Sequence, residues 1–180
     1  MSGRQRIVAT LGGALAVVSL TVPTMAQDVA GANLRAEYIY RFADFTQWPA
    51  PTLPQGSSLT MCVVGDTAVR DALERNARGG VTVADRRVVV AYGTPDKPPA
   101  SCHLLWVSAI SPAQTARVVS GFRDLPVLTM SDLEGFNRMG GIAEFFYDNA
   151  LLRFSIDLEA LKKSPLQLSS RVLLLSRPRR

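Results

Sequence analysis

The sequence predicts a three-layer α/β fold: a mostly parallel sheet flanked by helices, with an antiparallel hairpin at one edge near the C-terminus. Two observations carry this. Short apolar or β-branched runs, Leu59 to Val64, Arg87 to Tyr92, Cys102 to Ser108 and Val127 to Met130, alternate with stretches of helical character. Such alternation joins parallel strands through helices laid on the sheet faces. Later, Ile142 to Tyr147 and Leu152 to Asp157 flank Asp148-Asn149-Ala150, where Asp and Asn tolerate the positive φ of a tight hairpin.

The chain opens with Arg4 and Arg6, an uncharged apolar run from Ile7 to Val22, and small residues at Thr24 and Ala26. That order reads as a cleavable secretory signal peptide over residues 1–26, cut before Gln27. The apolar run is shorter than the roughly 20 residues a helix needs to cross a bilayer, and it contains Gly12 and Gly13. Residues 27–180 are about the size of one domain, able to bury a core of its own. No later apolar run approaches membrane-spanning length, so direct membrane insertion after cleavage is not expected.

From Ala32 to Trp48 the residues Leu34, Tyr38, Ile39, Phe42 and Phe45 recur at steps of mostly three and four, one stripe on a helix that Pro49 and Pro51 end. Residues 52–58 are a Pro-, Gly- and Ser-rich connection. Asp66 caps a helix running to Arg78 and stopped by Gly79-Gly80. Ser111-Pro112 starts a third helix through Phe122, serine as cap and proline in the first turn. A short helix or turn runs from Ser131 to Gly140-Gly141. The chain closes with a helical stretch from Leu158 to Leu175, divided near Pro165.

Lys and Arg number 20 against 15 Asp and Glu, a formal charge of +5. Arg4 and Arg6 leave with the peptide, and Arg177, Arg179 and Arg180 account for the rest of the excess on a tail around Pro178. A nucleic-acid face would be clustered on the fold, so nucleic acid is not an expected partner. The first strand turns through Gly65-Asp66-Thr67, a lone glycine followed by an acid that would repel phosphate, which argues against a dinucleotide site. His103 is the single histidine, no Gly-x-Ser-x-Gly turn exists, and two distant cysteines lack metal-ligand spacing. No catalytic residue, metal or cofactor is expected.

Cys62 lies in the first strand and Cys102 opens the third. Neighbouring strands could bring them together in an oxidising compartment, so a disulfide is expected. Trp48 reads first as a packing aromatic of the opening helix. Gly65, Ser131, Asp132 and Gly140 mark a candidate ligand pocket at strand ends, although Ser131-Asp132 also reads as a helix cap. Arg153 and Arg171 are candidate contacts for an acidic partner, with solvated structural arginines as the alternative.

The ordered set of segments resembles the YfiR family, the domain of unknown function 4154. The segments are Arg35-Ala36-Glu37-Tyr38 through Trp48-Pro49, Cys62-Val63-Val64-Gly65-Asp66, Arg86-Arg87-Val88 and Cys102-His103-Leu104-Leu105. They continue with Pro126 to Asp132, Gly135-Phe136, Gly140-Gly141-Ile142, Arg153 to Asp157 and Leu166 to Leu174. The resemblance implies a periplasmic α/β protein that tends to form homodimers. It implies repression of a membrane-bound diguanylate cyclase through binding of its periplasmic part, lowering cyclic-di-GMP signalling and biofilm formation. The family's more widely shared disulfide maps onto Cys62 and Cys102; a second pair found late in some members is missing here. The alternative reading is a periplasmic small-molecule sensor module feeding another membrane signalling protein.

Overall fold

The computed structural model describes residues 24–178, with side chains from residue 28. Most of the expected signal segment lies outside the described residues. Its last three positions fall in the opening helix α1 (Thr24–Asp44). The elements then run β1 (Thr46–Gln47), β2 (Leu59–Val64), α2 (Thr67–Arg78), β3 (Thr82–Val83), β4 (Arg86–Gly93), β5 (Leu104–Val107), α3 (Pro112–Ser120) and β6 (Leu128–Ser131). After a 3-10 turn at Asn137–Met139 come β7 (Ala143–Asp148), β8 (Leu151–Ile156), α4 (Leu158–Lys163), β9 (Gln167–Leu168) and α5 (Ser170–Leu175).

Seven strands form one sheet in the order β3-β4-β2-β5-β6-β7-β8. The five from β4 to β7 are mutually parallel, while β3 and β8 run antiparallel at the two edges. Helices α1 and α2 cover one face, burying Met61, Val63, Leu104, Trp106, Met130 and Phe145. Helix α3 covers part of the other, over Cys62, Val64, Leu105 and Val107. Strand alternation thus sends successive residues of β2 and β5 into two separate cores.

Local chemistry explains most element ends. Asp66 accepts a hydrogen bond from the Val69 amide at 3.0 Å and so starts α2. Ser111 and Gln114 form a reciprocal capping box at α3, with Pro112 in its first turn. The β7–β8 turn places Asn149 and Ala150 at φ 48° and 61°, the mirror-image turn that matches strand twist.

Three expectations are corrected. The first helix does not reach Trp48 but ends at Asp44, where the Phe45 amide bonds back to the carbonyls of Arg41 and Phe42. Thr46 and Gln47 then extend and pair with Leu168 and Gln167 in a small second sheet. The closing helical stretch is divided at Pro165, which has no amide hydrogen, as expected, but the gap between α4 and α5 holds the unexpected strand β9. Strand β3 was not expected; its turn to β4 uses Ala84 and Asp85 at φ 46° and 61°, without the usual glycine.

Tyr40, on the buried side of α1, donates its hydroxyl to the Leu73 carbonyl at 3.3 Å. Burial pushes its phenol from 10 up to about 12. A phenol that ionises more readily in the unfolded chain stabilises the fold fully below about pH 10 and loses that contribution as pH climbs towards 12. Replacing Tyr40→Phe should therefore flatten the decline in urea midpoint on the alkaline side of pH 10. An unchanged slope would show that Tyr40 does not carry it.

Candidate functional site

Cys62 and Cys102 are joined, their Cα atoms 5.8 Å apart, and no free cysteine remains. The bond lies on the α3 side of the sheet beside Val64, Leu105, Val118 and Phe122. It fastens β2 to the segment that enters β5.

The four residues of the candidate pocket separate into two places. Gly65, Ser131 and Asp132 stand at the carboxyl ends of β2 and β6, whereas Gly140 precedes β7 on the opposite side of the sheet. The reason is topological: β6 and β7 are parallel, so residues 132–142 must cross back over the sheet between them.

At the carboxyl ends the polar groups are committed to one another. Asp132 accepts a short hydrogen bond from the Ser108 hydroxyl. Its other oxygen lies 2.7 Å from Nε of Arg35 on α1, in a largely buried ion pair. Asp66 caps α2 with one oxygen and accepts the Trp106 indole N–H with the other, at 3.2 Å. Ser131 is fully buried and its hydroxyl accepts the Leu133 amide at 3.0 Å. Gly65 takes φ +89°, and a side chain there would run into the Ser108 carbonyl and Ile110. The Arg35–Asp132 pair ties α1 to the end of β6, and Asp66 ties the start of α2 to β5.

The crossing segment is held by a residue that the sequence reading did not single out. Glu144 is 4% exposed and accepts the amides of Gly135 and Asn137, each at 3.2 Å. Thr129 accepts the Ile142 amide at 3.0 Å, and Gly141 lies flat against the ring of Phe136, leaving no room for a side chain. A single acid at an inward position of the apolar run Ile142 to Tyr147 was the available signal, since a buried carboxylate must find donors.

Gly140, at φ +91°, lines a cleft of about 450 Å³ between the end of α3, the loop after it, the 3-10 turn and α4. Phe122, Val127 and Ile142 give it apolar walls; Arg123, Arg138 and Lys163 stand at its rim.

His103 has both ring nitrogens committed to backbone. Nδ1 accepts the Thr60 amide at 2.9 Å, and Nε2 is 3.2 Å from the Thr52 carbonyl. Trp48 packs edge-on against this ring and donates to the His103 carbonyl at 3.0 Å. That geometry ties the β1 region to the start of β5 and presents no nucleophile–base pair. Among the described residues, no three His, Cys, Asp or Glu side chains come together as metal ligands would.

Arg153 and Arg171 do not form one patch. Arg153 is half-buried on β8, on the strand face away from Leu152 and Phe154, whereas Arg171 is exposed at the start of α5. Arg171 shares a helix face instead with Leu174 and Leu175, which are 82% and 65% exposed. Val172 points the other way into the core of α1 and β8.

Among the described residues, no helix is long and apolar enough to cross a membrane. No curated protein matches the chain. The model of the YfiR/HmsC-like family, a family of periplasmic regulatory domains also called the domain of unknown function 4154, matches residues 32–177, most of the sequence, and the chain belongs to that family.

Proposed function

We propose that the protein is a periplasmic binding regulator that represses a membrane-bound diguanylate cyclase by docking on its periplasmic part, restraining cyclic-di-GMP synthesis and biofilm formation. In this reading residues 1–26 direct export and are removed, residues 27–180 work as one domain, and the domain acts as a homodimer. The disulfide suits an oxidising compartment. Family membership supports the regulatory role.

The observation that carries the docking surface is the outer face of α5. Leu174 and Leu175 leave large apolar side chains in solvent beside Arg171, while Val172 anchors the same helix to the core. Apolar side chains next to an arginine are what the buried centre of an interface uses. Repression requires only that the regulator bind the inactive arrangement of the cyclase more tightly than the active one; each tenfold preference shifts that equilibrium by about 1.4 kcal/mol.

The test uses the purified protein and the periplasmic domain of a cyclase encoded beside its gene. Substituting Leu174→Glu together with Leu175→Glu should weaken binding at least tenfold without lowering the melting temperature, because both side chains are already in water. Arg153→Glu, away from this face, should bind as the parent does. Unchanged binding by the α5 double variant would remove that surface from the reading.

A further inference from the structure

We infer that two copies of this chain associate by pairing the open edge of β4 antiparallel with itself, joining their sheets into one. The inference rests on the homodimer reading above and gives that dimer its surface.

The two edges of the seven-stranded sheet are finished differently. At β8 the outward backbone groups are taken. The Leu152 carbonyl accepts the Tyr38 hydroxyl at 3.3 Å, the Phe154 carbonyl accepts the Arg177 amide at 2.9 Å, and the Ile156 amide donates to the Ser176 hydroxyl at 2.9 Å. At the other edge β3 covers β4 only opposite Arg86 and Arg87. Past the buried Val88, β4 runs on to Gly93 with no strand outside it among the described residues.

The register shows which groups face out. Thr60 spends both its N–H and its carbonyl on His103, on the β5 side. Alternation along the strand then turns the backbone groups of Met61 and Val63 toward β4. Met61 lies opposite Val90 in a parallel pair, so its bonds go to the flanking Val89 and Ala91. Val90 and Tyr92 therefore direct their N–H and C=O groups away from the sheet, and no described residue bonds to them.

Open edges are normally blunted by a charge, a proline or a bulge. The run Val88-Val89-Val90-Ala91-Tyr92 contains no charge or proline, and its register with β2 is unbroken from Val88 to Gly93. Val89 and Tyr92 add apolar surface beside the free backbone, at 37% and 44% exposed. Such an edge accepts an extended strand through main-chain hydrogen bonds.

The charges that flank the run select a second copy, and select it antiparallel. Asp85 and Arg87 stand at one end, Asp96 and Lys97 at the other, all exposed. A two-fold axis at Ala91 sets Val90 opposite Tyr92 on each side, with outward groups facing outward groups. The same axis brings Asp85 of one copy towards Lys97 of the other, and Arg87 towards Asp96, so acid meets base at both ends. Asp96 also meets the exposed Arg117 at 3.3 Å, a surface pair that a second cation can share. Parallel apposition would set like charges together. Past Gly93 the chain turns away through Thr94 and Lys97, so the incoming strand stops short of β3. Because α5 packs at the β8 end of the sheet, this dimer leaves both α5 faces free to dock.

The experiment is sedimentation of the purified, disulfide-intact protein over a wide range of concentration, with amide hydrogen exchange read at Val90 and Tyr92. The expected result is a monomer–dimer equilibrium that weakens with added salt, and exchange at those two amides that slows as the dimer fills. Val90→Pro removes one outward amide and keeps every bond to β2, so it should weaken the dimer at least tenfold. Val89→Lys, a charge placed on the edge, should do the same without disturbing the core, and decides the matter if the proline variant melts early. Leu174→Glu/Leu175→Glu should dimerise as the parent does. A parent that stays monomeric throughout overturns this inference together with the homodimer reading. A dimer that Val89→Lys leaves intact, or one lost in the α5 variant, overturns this inference alone.

Discussion

Replacing Cys62 and Cys102 together by alanine should lower stability by about 4 kcal/mol, the chain-entropy value for releasing a closed loop of this size. The bond closes a separation of 40 residues that contains β2 from its middle onward, α2, β3 and β4. Without it the unfolded ensemble gains freedom that the folded sheet cannot match. Both sulfurs sit in the smaller of the two cores, against Val64, Leu105, Val118 and Phe122, so the lost packing adds to the entropic loss. For a chain of this length the melting temperature should fall by roughly 10 °C. Reduction of the parent by dithiothreitol should produce a comparable fall, and the alanine variant should not respond to it. A double variant within about 1 kcal/mol of the parent would mean that β2 and β5 hold that core unaided.

What the sequence discloses about this fold is what is local. Asp66, Ser111-Pro112 and Asp148-Asn149-Ala150 each act within four residues of themselves, and each begins or joins the element expected of it. Leu59 to Val64 reads as a buried strand because nearly every position faces a core. The failures are long-range. Thr46 and Gln47 extend because Gln167 and Leu168 are there to pair with them, and nothing near Thr46 announces that partner.

The candidate ligand site divides for the same reason. Gly65 and Gly140 both border strands, but which end of the sheet each occupies depends on β6 and β7 being parallel. The acids at the carboxyl ends also look available in sequence until Arg35, about a hundred residues before Asp132, is seen to pair with it. The disulfide was the exception, a distant pair readable because the chain offers only two cysteines. Arg153 and Arg171 were chosen as charges. The structure adds beside Arg171 what a charge alone cannot supply, the exposed leucines at the next helical steps.

Phe145→Ala should cost about 3–5 kcal/mol, the range for truncating a fully enclosed aromatic ring. The ring is 1% exposed and stands among four others: Phe42 at 5.4 Å, Tyr38 and Trp106 each at 5.8 Å, and Phe154 at 6.0 Å. Those neighbours come from α1, β5 and β8, so the cavity would open where three elements meet and where none can close in without moving another. Tyr147→Ala, 53% exposed in the same strand, should stay within about 0.5 kcal/mol of the parent and serves as the control. Denaturant unfolding measures both, and a Phe145→Ala value under 1 kcal/mol would show that the cluster collapses around the gap. The consequence reaches the proposed docking face. Phe154 packs on Phe42 at 4.8 Å and accepts the Arg177 amide at 2.9 Å, and Val172 of α5 joins the same core. If the ring sets the seat of α5, partner binding by Phe145→Ala should fall further than its folded fraction does. Binding that follows the folded fraction alone would place the seat in the backbone contacts after α5 instead.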